Sequence, residues 1–158
     1  MTEFSHVTEE GKVNMVNVAD KAITKRRAVA QSIVKLPREV FDKLTGGDIQ
    51  TKKGPVFQTA IIAGIMAAKQ TSNLIPLCHP LPLDNCNVDI WVDEEQRVVI
   101  QCEAHTTGKT GVEMEALTGV SLAALTVYDM CKALSQDIVI METKLIEKSG
   151  GKHDFKRT

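Results

Sequence analysis

The sequence predicts an α+β domain, and three observations carry that expectation. Two short runs, "NVDIWV" and "RVVIQCEA", alternate in character around "DEEQ", the pattern of an antiparallel hairpin. Two longer segments, 58–73 and 112–134, are mostly aliphatic and read as buried helices. The element order β-β-α-α-β-β-α-β contains no repeat, linker or low-complexity tract. It suits one unit with a ferredoxin-like antiparallel sheet and helices packed on one face.

Residues 1–12 read as a polar arm. "VNMVNV" (13–18) and "RAVAQSIVKL" (27–36) lean towards strand, joined by the cationic stretch Lys21 to Arg27. Pro37 suits the first turn of a short helix that stops at Gly46-Gly47. "DIQTKKGPVF" reads as a loop placing Lys52 and Lys53 ahead of Gly54-Pro55. "QTAIIAGIMAAKQTSN" (58–73) is apolar almost all round, so burial on every side is expected. The proline-rich turn "LIPLCHPLPL" (74–83) leads into the hairpin. "TTGKTG" (106–111) reads as a turn before the long helix, and "DIVIMETKLI" (137–146) as a last strand. The end, "EKSGGKHDFKRT", reads as a polar tail with nothing to bury. The expectation is a single domain over 1–158, flexible at 1–12 and 149–158.

A chain of 158 residues is domain-sized, and 43% hydrophobic with only 4% aromatic content implies an aliphatic core. With 19 basic against 20 acidic residues there is no electrostatic footprint for nucleic acid or a membrane surface. An anionic ligand must therefore be met by a local cluster of cations. The first residues carry no basic region followed by an apolar one, and no apolar run is long enough to span a bilayer. A cytoplasmic protein is expected. Cys78, Cys86, Cys102 and Cys131 form no C-x-x-C pair and read as small buried hydrophobes in a reducing compartment. Cys78 beside His79 could contribute to a zinc site, but no second pair stands at ligand spacing, so metal is the less favoured reading.

The prolines around His79 fix an imidazole in apolar surroundings: as a metal ligand, as a packed core histidine, or as a polar group preset for a ligand. Asp129 and Lys132 stand three residues apart on one face of the long helix. Glu113 and Glu115 stand at its other end, where carboxylates suit the helix dipole. A local ion pair is the plain reading of the first pair. Ionised groups on an otherwise buried helix are costly unless paired or used, which favours a functional one. Glu115 and Asp129 lie roughly 21 Å apart along a continuous helix. Either they serve different sites, or a second subunit brings one end to the other. "TTGKTG" is no Walker loop, because Glu103 occupies the position that needs the first glycine. A helix start there could still offer amides and Lys109 to an anion. Cations fall in four groups: Lys21 to Arg27, Lys52-Lys53, Lys109 with Lys132, and Lys148 with Lys152. With His79 and the carboxylates they point to a pocket for a polyanionic substrate and acid–base work.

The stretches "LIPLCHPLPL", "KTGVEMEALTGVSLAALTVYDMCKA" and "EKSGGK" closely resemble the cyclic pyranopterin monophosphate synthases of molybdenum cofactor biosynthesis, and the likeness runs from "NMVNV" to the tail. The resemblance implies a lyase without a metal or other cofactor. It would convert 3′,8-cyclised dihydro-GTP to cyclic pyranopterin monophosphate, releasing pyrophosphate. It further implies a ferredoxin-like homohexamer, a trimer of dimers, with sites between subunits. By motif position Asp129 matches the catalytic aspartate, Lys132 the lysine one turn on, and Lys53 the lysine of the K-G-x-V segment. Leu77, Cys78, His79, Met114 and Glu115 match substrate-binding positions. Glu113, Arg26, Lys21 and Lys148 match polar groups lining the same pocket. Asn17, Pro55, "IVIMET" and His153-Asp154 depart from the family pattern. A non-catalytic oligomeric module for a purine nucleotide or pterin, and a metal hydrolase on Cys78 and His79, remain as alternatives.

Overall fold

The computed structural model describes residues 4–158. The elements run β1 (Thr24–Lys35), α1 (Arg38–Phe41), β2 (Leu44–Thr45), β3 (Asp48–Thr51), β4 (Gly54–Pro55), α2 (Val56–Lys69) and α3 (Thr71–Leu74). Then follow β5 (Asn85–Val92), β6 (Val98–Gly108), α4 (Glu113–Cys131), β7 (Val139–Ser149) and β8 (Phe155–Lys156). Strands pair antiparallel in the order β5-β6-β1-β7-β8, and β2-β3-β4 form a separate small sheet. Helices α2 and α4 pack on one face of the large sheet. Without β8 and the small sheet, the order of β1, β5, β6 and β7 is the ferredoxin-like one.

The hairpin forms where alternation places it. Its turn is set by Asp93, whose carboxylate accepts the N–H of Glu95 (3.0 Å) and Arg97 (2.9 Å) and pairs with the Arg97 side chain (2.8 Å). This is the way an Asp side chain closes a turn. Central strand β1 puts Ala28, Ala30 and Val34 into the core beside Val98, Ile100, Cys102 and Ala104 of β6. Small side chains there let α4 approach closely. Burying each of the larger aliphatics stabilises the fold by about 1.5–3 kcal/mol. Helices α2 and α4 cross at Gly64 and Gly119, where a Cβ on Gly64 would meet the Gly119 carbonyl at 2.9 Å. Only glycine permits that approach.

On the opposite face Arg27 bridges Glu103 (2.8 Å) and Glu147 (3.1 Å), and His105 lies 2.6 Å from Glu103. Arg27 and His105 together hold the Glu103 carboxyl at about 2, well below its usual range.

Several sequence expectations need correction. Residues 13–18 are not a strand: Val13 makes an isolated bridge to Val7, and the Asn14 N–H donates to the His6 carbonyl. The sheet ends at β5 and β8, so no edge takes this segment up. The first three residues of the expected arm lie outside the described residues. The loop "DIQTKKGPVF" is built as strands β3 and β4 of the small sheet and the first two residues of α2. Thr106 to Gly108, read as turn, extend β6, and the long helix ends at Cys131. The last strand runs to Ser149, and the tail adds β8 against Glu147 and Lys148. Nor are the helices buried all round. Ile62 (59% exposed) and Met66 (60%) on α2, with Leu125 (53%) on α4, form uncovered apolar ground. Among the described residues no helix is long and apolar enough to cross a membrane.

Candidate active site

Three groups of the expected residues assemble, at two ends of α4. At its C-terminal end the Asp129 carboxylate lies between two ammonium groups, Lys53 Nζ at 3.0 Å and Lys132 Nζ at 3.1 Å. The two hydrogen-bonded lysines depress the Asp129 carboxyl below its ordinary value, Lys53 acting most strongly. Lys132 follows from spacing, since i and i+3 share a helix face. Lys53 arrives from the small sheet, in the turn between β3 and β4. There Thr51 Oγ1 accepts the Lys53 N–H (3.1 Å) and donates to the Gly54 carbonyl (3.0 Å). Gly54 takes a φ of 111°, a conformation open to glycine.

The turn is held to the helices by a residue that sequence reasoning missed. The Asp48 carboxylate accepts the N–H of Phe57 (2.7 Å) and of Gln58 (3.2 Å) in the first turn of α2, as well as that of Ile49 (2.6 Å). It does for α2 what an N-cap side chain does, from nine residues away. No local signal marks Asp48, because two short strands separate it from the helix start it caps. The triad opens onto a cavity of about 710 Å³ that Lys43, Gln50, Lys52 and Leu134 also line. Asp129 and Lys132 are half exposed in this chain, not buried as the apolar helix suggested.

At the other end of α4, Lys148 pairs with Glu113 at 2.9 Å. Arg26 is fixed by two carbonyls, Gly108 (3.0 Å) and Lys109 (3.2 Å), and lines a cavity of about 210 Å³. Lys21, Lys148, Lys152 and His153 line the same cavity. The glycine pair of "KSGGK" makes this possible. Gly150 has a φ of 86°, its carbonyl accepts from Thr24 Oγ1 (2.6 Å), and its N–H donates to Asp154 (3.1 Å). A Cβ there would overlap the Lys25 carbonyl.

The third group adjoins the second through the Gly108–Lys109 backbone. His79 Nε2 meets the Val16 carbonyl at 2.7 Å, and Lys109 Nζ donates to the Ala19 carbonyl (2.7 Å). Both therefore hold the segment leading into β1, beside a cavity of about 330 Å³. Thr106 Oγ1 donates to Pro82 (2.6 Å) and ties the proline-rich turn to β6. Lys109 and Lys132, grouped together from sequence, line different cavities. Among the described residues no three of His, Cys, Asp and Glu converge as a metal-binding set.

Residues 15–151 match the family model described as MoaC family. The chain belongs to the MoaC family. A molybdenum cofactor biosynthesis bifunctional protein of Synechocystis is 54% identical over 98% of this chain, and molybdenum cofactor biosynthesis protein 1 of Dictyostelium discoideum is 52% identical over 95%. The chain spans only 46% and 26% of those two proteins. A cyclic pyranopterin monophosphate synthase of Halalkalibacterium halodurans is 48% identical over all of this chain and 97% of its own length.

In this MoaC-family chain Leu77, Cys78 and His79 lie half-buried in the turn after α3, and Met114 is 38% exposed on the first turn of α4. Glu115 beside it is only 4% exposed. Burial pushes its carboxyl up to about 7, opposed by a hydrogen bond from its own backbone and reinforced by Glu113. Its charge in turn adds to the effect of burial in raising the Cys78 thiol. Between pH about 4.5 and 7 the folded chain thus holds a proton that the unfolded chain releases, so stability falls as pH rises through that window. The stability of Glu115→Gln relative to the parent should rise by roughly 3 kcal/mol between pH 4.5 and pH values above 7. Chemical denaturation at both pH values measures it; a gap that stays constant would remove the buried-carboxyl account.

Proposed function

We propose that this chain is a cyclic pyranopterin monophosphate synthase, a single-domain lyase that converts cyclised dihydro-GTP to cyclic pyranopterin monophosphate and releases pyrophosphate. The observation that carries the reading is the Lys53–Asp129–Lys132 triad, in which residues far apart in sequence meet at two ion pairs beside an open cavity. A carboxylate between two amines can pass protons to and from a substrate while keeping one ammonium charged. In this role Asp129 orients the lysines, and Lys53 and Lys132 move the protons.

The cations around Arg26 suit the triphosphate. Arg26, Lys21 and Lys148 stabilise negative charge on the departing pyrophosphate, with Glu113 positioning Lys148. Leu77, Cys78, His79, Met114 and Glu115 hold the pterin-forming end. One chain separates the triad from these groups by most of the length of α4. The reading therefore includes a homohexamer, a trimer of dimers, in which the triad of one subunit faces the Arg26 end of another. The uncovered Ile62, Met66 and Leu125 supply apolar surface for such an assembly.

Anaerobic turnover of enzymatically prepared cyclised dihydro-GTP tests the reading, with pyrophosphate and the oxidised, fluorescent pterin assayed together. Both products are expected, and neither from Lys53→Ala. Binding without either product would replace the synthase with a non-catalytic binding module.

A further inference from the structure

Cys86 and Cys102 play no part in the site described above. Cys86 lies on edge strand β5 and Cys102 on β6, and their sulfurs are 3.7 Å apart on the helix-covered face of the sheet. In the register Cys86 faces Ala104 and Val88 faces Cys102, so the cysteines are diagonal neighbours. Cys86 is half-buried, whereas Cys102 is wholly enclosed. None of the four cysteines is bonded to another.

We propose that Cys86 and Cys102 are a redox-active dithiol that closes to a reversible disulfide when the protein meets a hydroperoxide. The sulfurs need to approach by only about 1.6 Å to reach bonding distance. Diagonal partners in an antiparallel pair, however, typically have Cα atoms about 7–8 Å apart, at or beyond the range disulfides accept. Closing the bond must therefore draw the strands off their resting geometry. A strained disulfide is readily reduced, so the pair suits a reversible bond and not a permanent staple.

The two thiols divide the chemistry. The hydrogen bond from Cys102, helped by the Lys69 ammonium, lowers the Cys86 thiol against the opposing effect of burial. Donating that hydrogen bond and being buried raises Cys102. Cys86, the more accessible of the two sulfurs and the one whose thiol is lowered, is the one that attacks the peroxide as its thiolate. A sulfur–oxygen bond forms, the O–O bond breaks, hydroxide leaves and takes up a proton as water, and Cys86 becomes a sulfenic acid. Cys102 then gives up its proton and attacks the Cys86 sulfur, forming the S–S bond as the S–O bond breaks and water departs. Two thiols and one hydroperoxide become a disulfide and, with hydrogen peroxide, two waters. The Cys102 sulfur also packs against Gly119 of α4 so closely that a Cβ there would lie 2.7 Å away, so a shift of that sulfur is felt at the helix.

The full-length chain treated with a modest excess of hydrogen peroxide tests this. Under denaturing conditions the titratable thiols should fall from four to two, and dithiothreitol should restore them. Trypsin cuts at Arg97, between the two cysteines, so a peptide pair joined through Cys86 and Cys102 should appear, with fragment ions separating Cys86 from Cys78. Cys86→Ser should lose thiols at least tenfold more slowly, and Cys102→Ala should accumulate a sulfenic acid that dimedone traps. A disulfide through Cys78 or between chains would overturn the proposal. So would equal thiol loss in Cys86→Ser, or conversion of Cys86 to sulfinic acid without a linkage. If Cys102→Ala does not fold, the peptide map of the parent protein decides.

Discussion

On the proposed synthase function, Asp129→Asn is expected to lower turnover of cyclised dihydro-GTP by roughly a hundred- to ten-thousand-fold while leaving a folded protein. The amide keeps the size of the carboxylate but loses its charge. It can accept from only one side, so the two ammonium groups at 3.0 and 3.1 Å lose a shared counter-ion and repel each other. Stability should change little, because both pairs are half exposed and solvent-screened pairs contribute little to folding. A large loss of rate with an unchanged melting curve is thus the signature of chemistry at this position. Co-assembly provides a second readout. Mixed oligomers of Asp129→Asn and Arg26→Ala chains should recover part of the parent activity, since some interfaces would combine an intact triad with an intact cation cluster. Activity near that of the parent in Asp129→Asn alone would remove the triad from the mechanism. Failure of the mixture to recover would place both clusters in one subunit's service.

Gly150→Ala should be the most damaging small substitution away from the triad. The position demands a φ of 86°, and the added methyl would strike the Lys25 carbonyl, a backbone atom of central strand β1 that has no freedom to yield. Strain and overpacking together cost roughly 2–3 kcal/mol. For a chain of this size that is a fall of about 5–10 °C in melting temperature. The injury should also reach ligand binding. Displacing Gly150 breaks the Thr24 and Asp154 hydrogen bonds and shifts Gly151 to His153 away from Arg26. The binding constant for substrate should weaken at least tenfold, measured by calorimetry on the folded variant. Gly151→Ala is the comparison, since its backbone needs no positive φ and its methyl would meet a side-chain nitrogen of Arg26 at 3.1 Å and no backbone atom. Equal behaviour of the two variants would mean that space at Gly150 is not what the loop requires.

These elements were unequally legible in the sequence. The β5–β6 hairpin was, because alternation and a polar turn are local signals. The long helix was too, because its apolar content persists over five turns. Its exposure was not: Ile62, Met66 and Leu125 are as apolar as the core residues beside them, and only the fold decides which side is covered. The segment 13–18 has strand chemistry yet no neighbouring strand, and pairing is a property of two segments. Asp129 with Lys132 could be read from helix spacing, but the third member, Lys53, came through family likeness. Nothing local shows that a turn seventy-six residues earlier reaches the same carboxylate. His79 was singled out for its setting, and its contact with the Val16 carbonyl depends on the path of the segment before β1, which the sequence did not disclose.

The Asp48 carboxylate has a consequence for how errors spread. By gripping the first turn of α2, it makes the small sheet ride on that helix, and Lys53 rides on the small sheet. The register of the triad is therefore inherited from the Gly64–Gly119 crossing, well away from the cavity. A packing fault at that crossing would be transmitted along a stiff arm and arrive as a misplaced amine, with every residue of the triad intact. Active-site tolerance in this molecule is set at the distant end of a lever.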